Sequence, residues 1–189
     1  MNTEKLYIKN MVCDRCRMAV KSELEKLGIS FSDIDLGEVT LSKKIDDHQK
    51  SLVKNALASL GFELIDDKKS RLIEQIKTLI IQLVHYNDNE LKINLSDYIS
   101  KELNHDYNYI SNLFSEIEGT TIEKYFINQK IEKVKELLVY DELTLSEIAY
   151  RLNYSSTAHL SSQFKRVTGF TPSHFKTIKS NKRKPLDKV

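Results

Sequence analysis

An internal repeat constrains this chain more than any other feature. "LSDYISKELNHDYNYISNLFSEIEGTT", beginning at Leu95, and "LSEIAYRLNYSSTAHLSSQFKRVTGFT", beginning at Leu145, align without a gap at an offset of 50 residues. Leu95 matches Leu145, Ser96 matches Ser146, Ile110 matches Leu160, Ser111 matches Ser161, Phe114 matches Phe164, Gly119 matches Gly169 and Thr121 matches Thr171. One supersecondary unit therefore occurs twice, and a fold that serves the first copy must serve the second. Each copy opens on a helix-capping signal. Asn94 stands three residues before Asp97, and Thr144 stands three before Glu147 in the full capping-box pattern. A short first helix follows and stops at a polar turn, "NHD" in one copy and "NYSS" in the other, before a second helix begins.

Spacings of three and four give each second helix two faces. The apolar face is Ile110, Leu113, Phe114 and Ile117 in the first copy, and Leu160, Phe164 and Val167 in the second. Opposite it lie Asn108, Ser111, Asn112 and Ser115 in the first copy, and Ala158, Ser161, Ser162 and Lys165 in the second. A strip of small polar groups suits a helix lying in a major groove, where Asn pairs with adenine and Ser or Thr with either edge; it is also what any wet helix surface looks like. Two short helices joined by a tight turn form a helix-turn-helix. Two such units joined by "YFINQKIEKVKELLVYD" can occupy successive major grooves on one face of DNA, about 34 Å apart.

From about Leu95 to Lys176 the chain resembles the DNA-binding domain of the AraC/XylS family of transcriptional regulators. The second repeat carries that family's signature in Ile148-Ala149, Phe164-Lys165, Gly169 and Thr171-Pro172. The resemblance implies seven helices, with Ile131 to Tyr140 inside the long joining helix and recognition helices at about Asn108 to Glu118 and Ser156 to Thr168. It implies DNA contacts from Asn108, Ser111, Asn112, Ser156, Thr157, His159, Ser161, Ser162, Lys165 and Arg166. Promoter DNA is then the partner, with RNA polymerase as a second. Two departures from the family pattern stand out. Asn153 replaces the glycine of the second turn, a position that asparagine can hold in a left-handed conformation. Glu116 and Glu118 stand where the second copy has Arg166 and Thr168, which sets negative charge near phosphate in the first motif only.

Residues 1–66 read as an α+β unit of order βαββαβ, the split βαβ arrangement of a ferredoxin-like sandwich. "KLYIKNM" alternates as a strand, and "CRMAVKSELEKLGI" has helical spacing through Met18, Val20, Leu24 and Leu27. "ISFSDIDLGEVTLSKK" reads as two strands reversing at Leu36-Gly37. "DDHQKSLVKNALASLG" reads as a helix with Leu52, Val53, Ala56, Leu57 and Leu60 on its apolar face, and "FELID" as the last strand. Residues 67–90 form a linker helix whose stripe of Leu72, Ile76, Leu79 and Leu83, widened by Ile73, Ile80 and Val84, must be buried. It packs either on its own chain or as a homodimer seam through 70–85. Residues 91–178 are the all-α domain with two helix-turn-helix motifs, and 179–189 a basic tail.

Both cysteines of the chain lie in "NMVCDRCRMAV", two residues apart and beside Met11. The βαββαβ order with "MVCDRC" between strand and helix is similar to the heavy-metal-associated domain of copper chaperones and pumps. That resemblance implies that Cys13 and Cys16 hold a soft ion, with Cu(I) favoured, while the methionine packs inward. Asn10 stands where that domain often has glycine. A cysteine in the first turn of a helix is expected to have a lowered pKa, and paired thiolates favour Cu(I). Zinc ranks lower, because a structural site takes four ligands and none of His48, His85, His105, His159 or His174 is near the pair in sequence. The rival reading is a thiol–disulfide switch, and the bland one is two buried thiols.

Forty per cent apolar residues suffice for real cores, and the net charge of +2 conceals a basic C-terminal end. No apolar run is long enough to span a bilayer and the N-terminus lacks the apolar centre of a signal peptide, so a cytoplasmic location is expected, with no membrane partner. That reducing compartment argues against a structural disulfide. No acid, base and nucleophile set accompanies the repeat, which argues against an enzyme; a dithiol oxidoreductase would use a thioredoxin-like order of elements. A cytosolic metal carrier would leave the repeat unexplained.

Overall fold

The computed structural model describes residues 4–65, 68–87 and 93–178. The basic tail 179–189, residues 67 and 88–90 of the expected linker and residues 91–92 of the expected all-α domain lie outside the described residues. The chain divides into two compact units, Met1–Thr78 and Leu79–Val189.

The first unit runs β1 (Glu4–Lys9), α1 (Asp14–Lys26), β2 (Phe31–Asp35), β3 (Glu38–Leu41), α2 (Asp47–Ser59), β4 (Glu63–Ile65) and the start of α3 (Lys68–Ile81). The sheet has the order β2-β3-β1-β4, and each neighbouring pair is antiparallel. Alternation along β1 buries Leu6 and Ile8 on one side. They meet Val39 and Leu41 of β3, Val20 and Leu24 of α1, and Val53 and Leu57 of α2 in one core. On the other side of β1, the Arg71 guanidinium of α3 lies 4.8 Å from the centre of the Tyr7 ring. Gly37, at φ +77°, turns β2 into β3, and a Cβ there would stand 3.1 Å from Thr78 Oγ1 of α3.

Several residues assigned to apolar faces are exposed. Met18 is 70% exposed, because the buried side of α1 runs through Cys16, Val20, Leu24 and Leu27, and a residue two positions from Cys16 and from Val20 points about 200° away. Leu52 and Leu60 also face solvent: Leu52 precedes Val53, on the buried line of α2, and Leu60 lies beyond the last turn.

The expected linker helix exists, and the division between units falls inside it. Leu72, Ile73, Ile76 and Ile80 are buried and Leu79 is half-buried. α3 then continues as a π-helical segment, Gln82–Tyr86, that packs against α6 and buries Leu83 and Val84. Most of the stripe is thus buried within the single chain, as one of the two expected readings has it.

The second unit continues with α4 (Leu95–Leu103), α5 (Tyr107–Glu118), α6 (Ile122–Tyr140), α7 (Leu145–Arg151), α8 (Thr157–Thr168) and α9 (Pro172–Ile178). Between Leu95 and Ile178 these are six α-helices among the described residues, where the resemblance implied seven. α6 supplies Ile131, Val134, Leu137 and Leu138 to a core completed by Ile148, Ala149, Leu152, Tyr154, Leu160, Phe164 and Phe175.

Candidate nucleic-acid interface

The second helix of each copy is started and stopped by the same devices at matched positions. Asp106 caps α5 by accepting from the Tyr109 amide at 3.1 Å, and Ser156 caps α8 by accepting from the His159 amide at 3.0 Å. Gly119 at φ +64° and Gly169 at φ +79° close the two helices, a left-handed conformation that costs glycine little. Each turn into them also holds a left-handed asparagine, Asn104 at φ +52° and Asn153 at φ +54°, at an offset of 49 because the second turn runs one residue longer after it, so asparagine does fill the second turn's left-handed position. The first helices differ. Thr144 and Glu147 form the complete capping box, whereas Asn94 takes the N-cap position of α4 without a side-chain hydrogen bond.

These caps fix which side of each recognition helix faces out. Ile110, Leu113 and Phe114 are buried in α5, and Leu160 and Phe164 in α8. Ile117 and Val167, expected on the same inner faces, are exposed in both copies, each two residues before its terminal glycine, where the last turn projects beyond the core. The polar strips fall as expected. Asn108 and Asn112 are exposed and Ser111 half-buried on α5; Ser162, Lys165 and Arg166 are exposed, and Thr157 and Ser161 half-buried, on α8. Three expected readers are partly engaged within the chain. Ser156 is committed to its cap, and His159 keeps Nδ1 3.0 Å from Ser155 Oγ while its ring meets the Tyr154 ring edge-on at 5.3 Å. Ser111 Oγ donates to the Asn108 carbonyl at 3.2 Å.

Electrostatics separate the two motifs. α8 ends in Lys165 and Arg166, which suit both a helix C-terminus and nearby phosphate. α5 begins on the carboxylate of Asp106 and carries Glu116 and Glu118 in its last turns. Beside it, Tyr107 donates a short hydrogen bond to Glu123. Burial and that carboxylate push the Tyr107 phenol up, and the hydroxyl holds the Glu123 carboxyl down.

Two residues of this surface escape a search of the polar strips. Tyr109 is 51% exposed on α5, its ring 5.9 Å from that of His105; its signal in the sequence is its match to His159 across the repeat. Gln163 on α8 accepts from the Tyr154 hydroxyl at 2.7 Å. Its signal is that it breaks the repeat, placing an amide where the first copy has the buried Leu113.

In the other unit, Cys13 is the N-cap residue of α1, Cys16 lies in its first turn, and the two Sγ atoms are 3.4 Å apart. Both thiols are free and half-buried, and Met11 is buried. The expected lowering of the Cys16 pKa is reversed: burial against the core pushes the thiol up, outweighing the amide hydrogen bond that favours its thiolate. Asn10 sits at φ +72° and donates from Nδ2 to the Gly61 carbonyl at 3.0 Å, which shows how it fills a place suited to glycine. Among the described residues no group of three or more His, Cys, Asp or Glu side chains could hold a metal ion, and no helix is long and apolar enough to cross a membrane.

Residues 99–178 match a family model described as a helix-turn-helix domain. The chain is similar to the uncharacterised HTH-type transcriptional regulators YtdP of Bacillus subtilis (24% identity over 117 residues, covering 61% of this chain and 15% of that protein) and SAR0107 of Staphylococcus aureus (24% over 208 residues, 93% and 27%). It is similar also to YdeC of B. subtilis (25% over 145 residues, 77% and 47%). The chain thus spans less than half the length of each of these relatives. In fold it resembles the C-terminal domain of AraT, a response regulator from Geobacillus stearothermophilus, with a TM-score of 0.51 and 22% identity over 62% of this chain and 95% of that one. The segment 99–178 thus matches a helix-turn-helix domain, and its doubled motif and these HTH-type relatives agree with that match.

Proposed function

We propose that the chain is a sequence-specific DNA-binding transcriptional regulator in which α5 and α8 enter successive major grooves. The observation that carries this reading is the matched pair of capped helices, each with its phenylalanine fully buried and a largely polar strip on its opposite side. Asn108, Asn112, Ser161 and Ser162 read base edges, while Lys165 and Arg166 hold phosphate and set register. Because the phosphate contacts cluster on α8, the second motif supplies most of the salt-dependent affinity. Control of transcription follows through contact with RNA polymerase at the bound promoter. A selection of binding sites from random duplexes tests the reading. The parent should return two half-sites about one helical turn apart, and joint Ser161→Ala and Ser162→Ala should change preference in one of them only. Unchanged preference in that double variant would remove α8 as the reader.

We infer further that the first unit is the input, through Cys13 and Cys16. Its strand order supports the ferredoxin-like, heavy-metal-associated reading, as does the burial of Met11 beneath the pair. Two soft sulfur donors, with no third ligand beside them among the described residues, fit Cu(I) better than the four-ligand demand of structural zinc. The raised pKa of Cys16 means that its proton must be displaced when a metal binds. The same 3.4 Å separation favours the alternative, a disulfide. There the sulfurs close to about 2.05 Å as two protons leave and an oxidant such as peroxide takes two electrons. Cu(I) competition with a chelator separates these: Cys13→Ser and Cys16→Ser should each abolish binding under reducing conditions. A DNA response to peroxide that persists with copper chelated would favour the disulfide.

A further inference from the structure

A buried cation lies between the joining helix and the second recognition helix. Lys130, on α6, is only 7% exposed, and no carboxylate pairs with it among the described residues. Its Nζ stands 3.8 Å from the centre of the Tyr154 ring and 5.5 Å from that of Phe126. Tyr154 is itself buried in the turn between α7 and α8. Its hydroxyl donates to Gln163 Oε1, and its ring and that of His159 stand nearly perpendicular, 5.3 Å apart. Gln163 and His159 both belong to α8. One ring is thus gripped on its face by a cation from α6, and at its hydroxyl and against His159 by the helix that faces DNA.

The repeat shows that the fold does not require this arrangement. In the first copy Leu113 holds the place of Gln163, and the residue after the left-handed asparagine of the turn is His105 where the second copy has Tyr154, yet that copy also builds a pair of helices. An aliphatic side chain at position 130 would avoid the cost of desolvating an ammonium. That cost is visible in a pKa pushed down to about 8 by burial, a shift that the ring face opposes because it favours the charged form.

We propose that Lys130 is a positioning residue for the second recognition helix: its ammonium pins the Tyr154 ring, whose hydroxyl and contact with His159 set the rotation of α8 about its own axis. Base readout tolerates errors of only about 0.5 Å and 10–20°, so a small roll of α8 is enough to misplace Ser161 and Ser162. The inference rests on the reading that α8 enters the groove.

The test uses the full chain and a duplex selected by the parent, with the α8 half-site identified as the one whose preference Ser161→Ala with Ser162→Ala alters. Lys130→Met keeps the length of the side chain and removes the charge. It should lower affinity about tenfold and erase discrimination at the α8 half-site, while discrimination at the other half-site persists. Its thermal midpoint should equal or exceed the parent's. Lys130→Arg should restore binding, and Tyr154→Phe, which keeps ring and cation, should reproduce the loss confined to one half-site. Parental affinity and discrimination in Lys130→Met would overturn the proposal. So would a loss spread evenly over both half-sites with a lowered midpoint and no rescue by arginine. Should the parent select no duplex at all, the DNA reading fails and the proposal goes with it.

Discussion

Glu116 and Arg166 occupy the same position in the two copies, and exchanging one for the other tests the claim that the motifs share a geometry but not a charge. Glu116 is exposed near the C-terminal end of α5, so Glu116→Arg leaves the buried Ile110, Leu113 and Phe114 in place, and a cation there also suits the helix dipole. The fold should be unaffected or slightly stabilised. If the new arginine meets one phosphate as Arg166 does, the slope of log affinity against log salt should steepen by about 0.9. Between 50 and 200 mM salt, that is an additional loss of about 3.5-fold. The charge reversal contributes more at low salt. At roughly 7 Å from a phosphate, each unit of charge is worth about 0.6 kcal/mol in water, so two units with screening raise affinity about fivefold. Fluorescence anisotropy with one labelled duplex across a salt series measures both quantities. Glu25→Arg, on α1 in the other unit, makes the same change in net charge and serves as the control. An unchanged slope, or equal effects from the two variants, would refute the placement of this end of α5 beside the DNA backbone.

Phe164 is fully buried and meets Phe175 edge-on at 5.5 Å, so Phe164→Ala should cost about 3–5 kcal/mol in urea unfolding; a change below about 1 kcal/mol would undo the account of the second core. Thr144→Ala removes the cap of α7 and should cost about 1 kcal/mol. The Glu147 carboxyl is held low by the Thr144 hydroxyl and then by the Thr144 amide, so this contribution is present above the ordinary carboxylate pKa and lost as pH falls through the lowered value. The gap between parent and variant should therefore narrow in acid to the part made by the Glu147 amide, which donates to Thr144 Oγ1 at any pH, and a gap independent of pH would contradict the capping box. Ile76 is fully buried in the single chain, and Ile76→Lys should abolish cooperative melting; a well-folded monomer would instead mark the stripe as a seam between copies.

Much of the architecture was legible because short-range chemistry dictates it. Alternation in "KLYIK", the Leu36-Gly37 reversal and the Thr144–Glu147 box each act within a few residues, and each appears where the sequence puts it. What the sequence hid depends on distance through space. Met18, Leu52, Ile117 and Val167 have apolar side chains at plausible helical spacings, yet the cores end before reaching them. Cys16 has the helix N-terminus that lowers a thiol pKa, and also a depth of burial that no local pattern reveals, and burial prevails.

Within the repeat, the departures carry more of the function than the identities do. Identical or conservative pairs such as Phe114 with Phe164 and Gly119 with Gly169 fix the core and the helix ends, which both copies need. Where the copies diverge, the fold tolerates either residue, so the difference reflects something beyond folding. In the proposed DNA complex, Glu116 against Arg166 would divide the electrostatic work between the two grooves. Leu113 against Gln163 and His105 against Tyr154 change together, because the buried hydroxyl of Tyr154 has the amide of Gln163 to accept its hydrogen bond. A buried tyrosine in that turn then offers a ring face on which the ammonium of Lys130 can be sheltered. Three residues that look unrelated along the chain, one on α6, one in the turn and one on α8, thus depend on one another, and only the copy that carries the basic recognition helix has them.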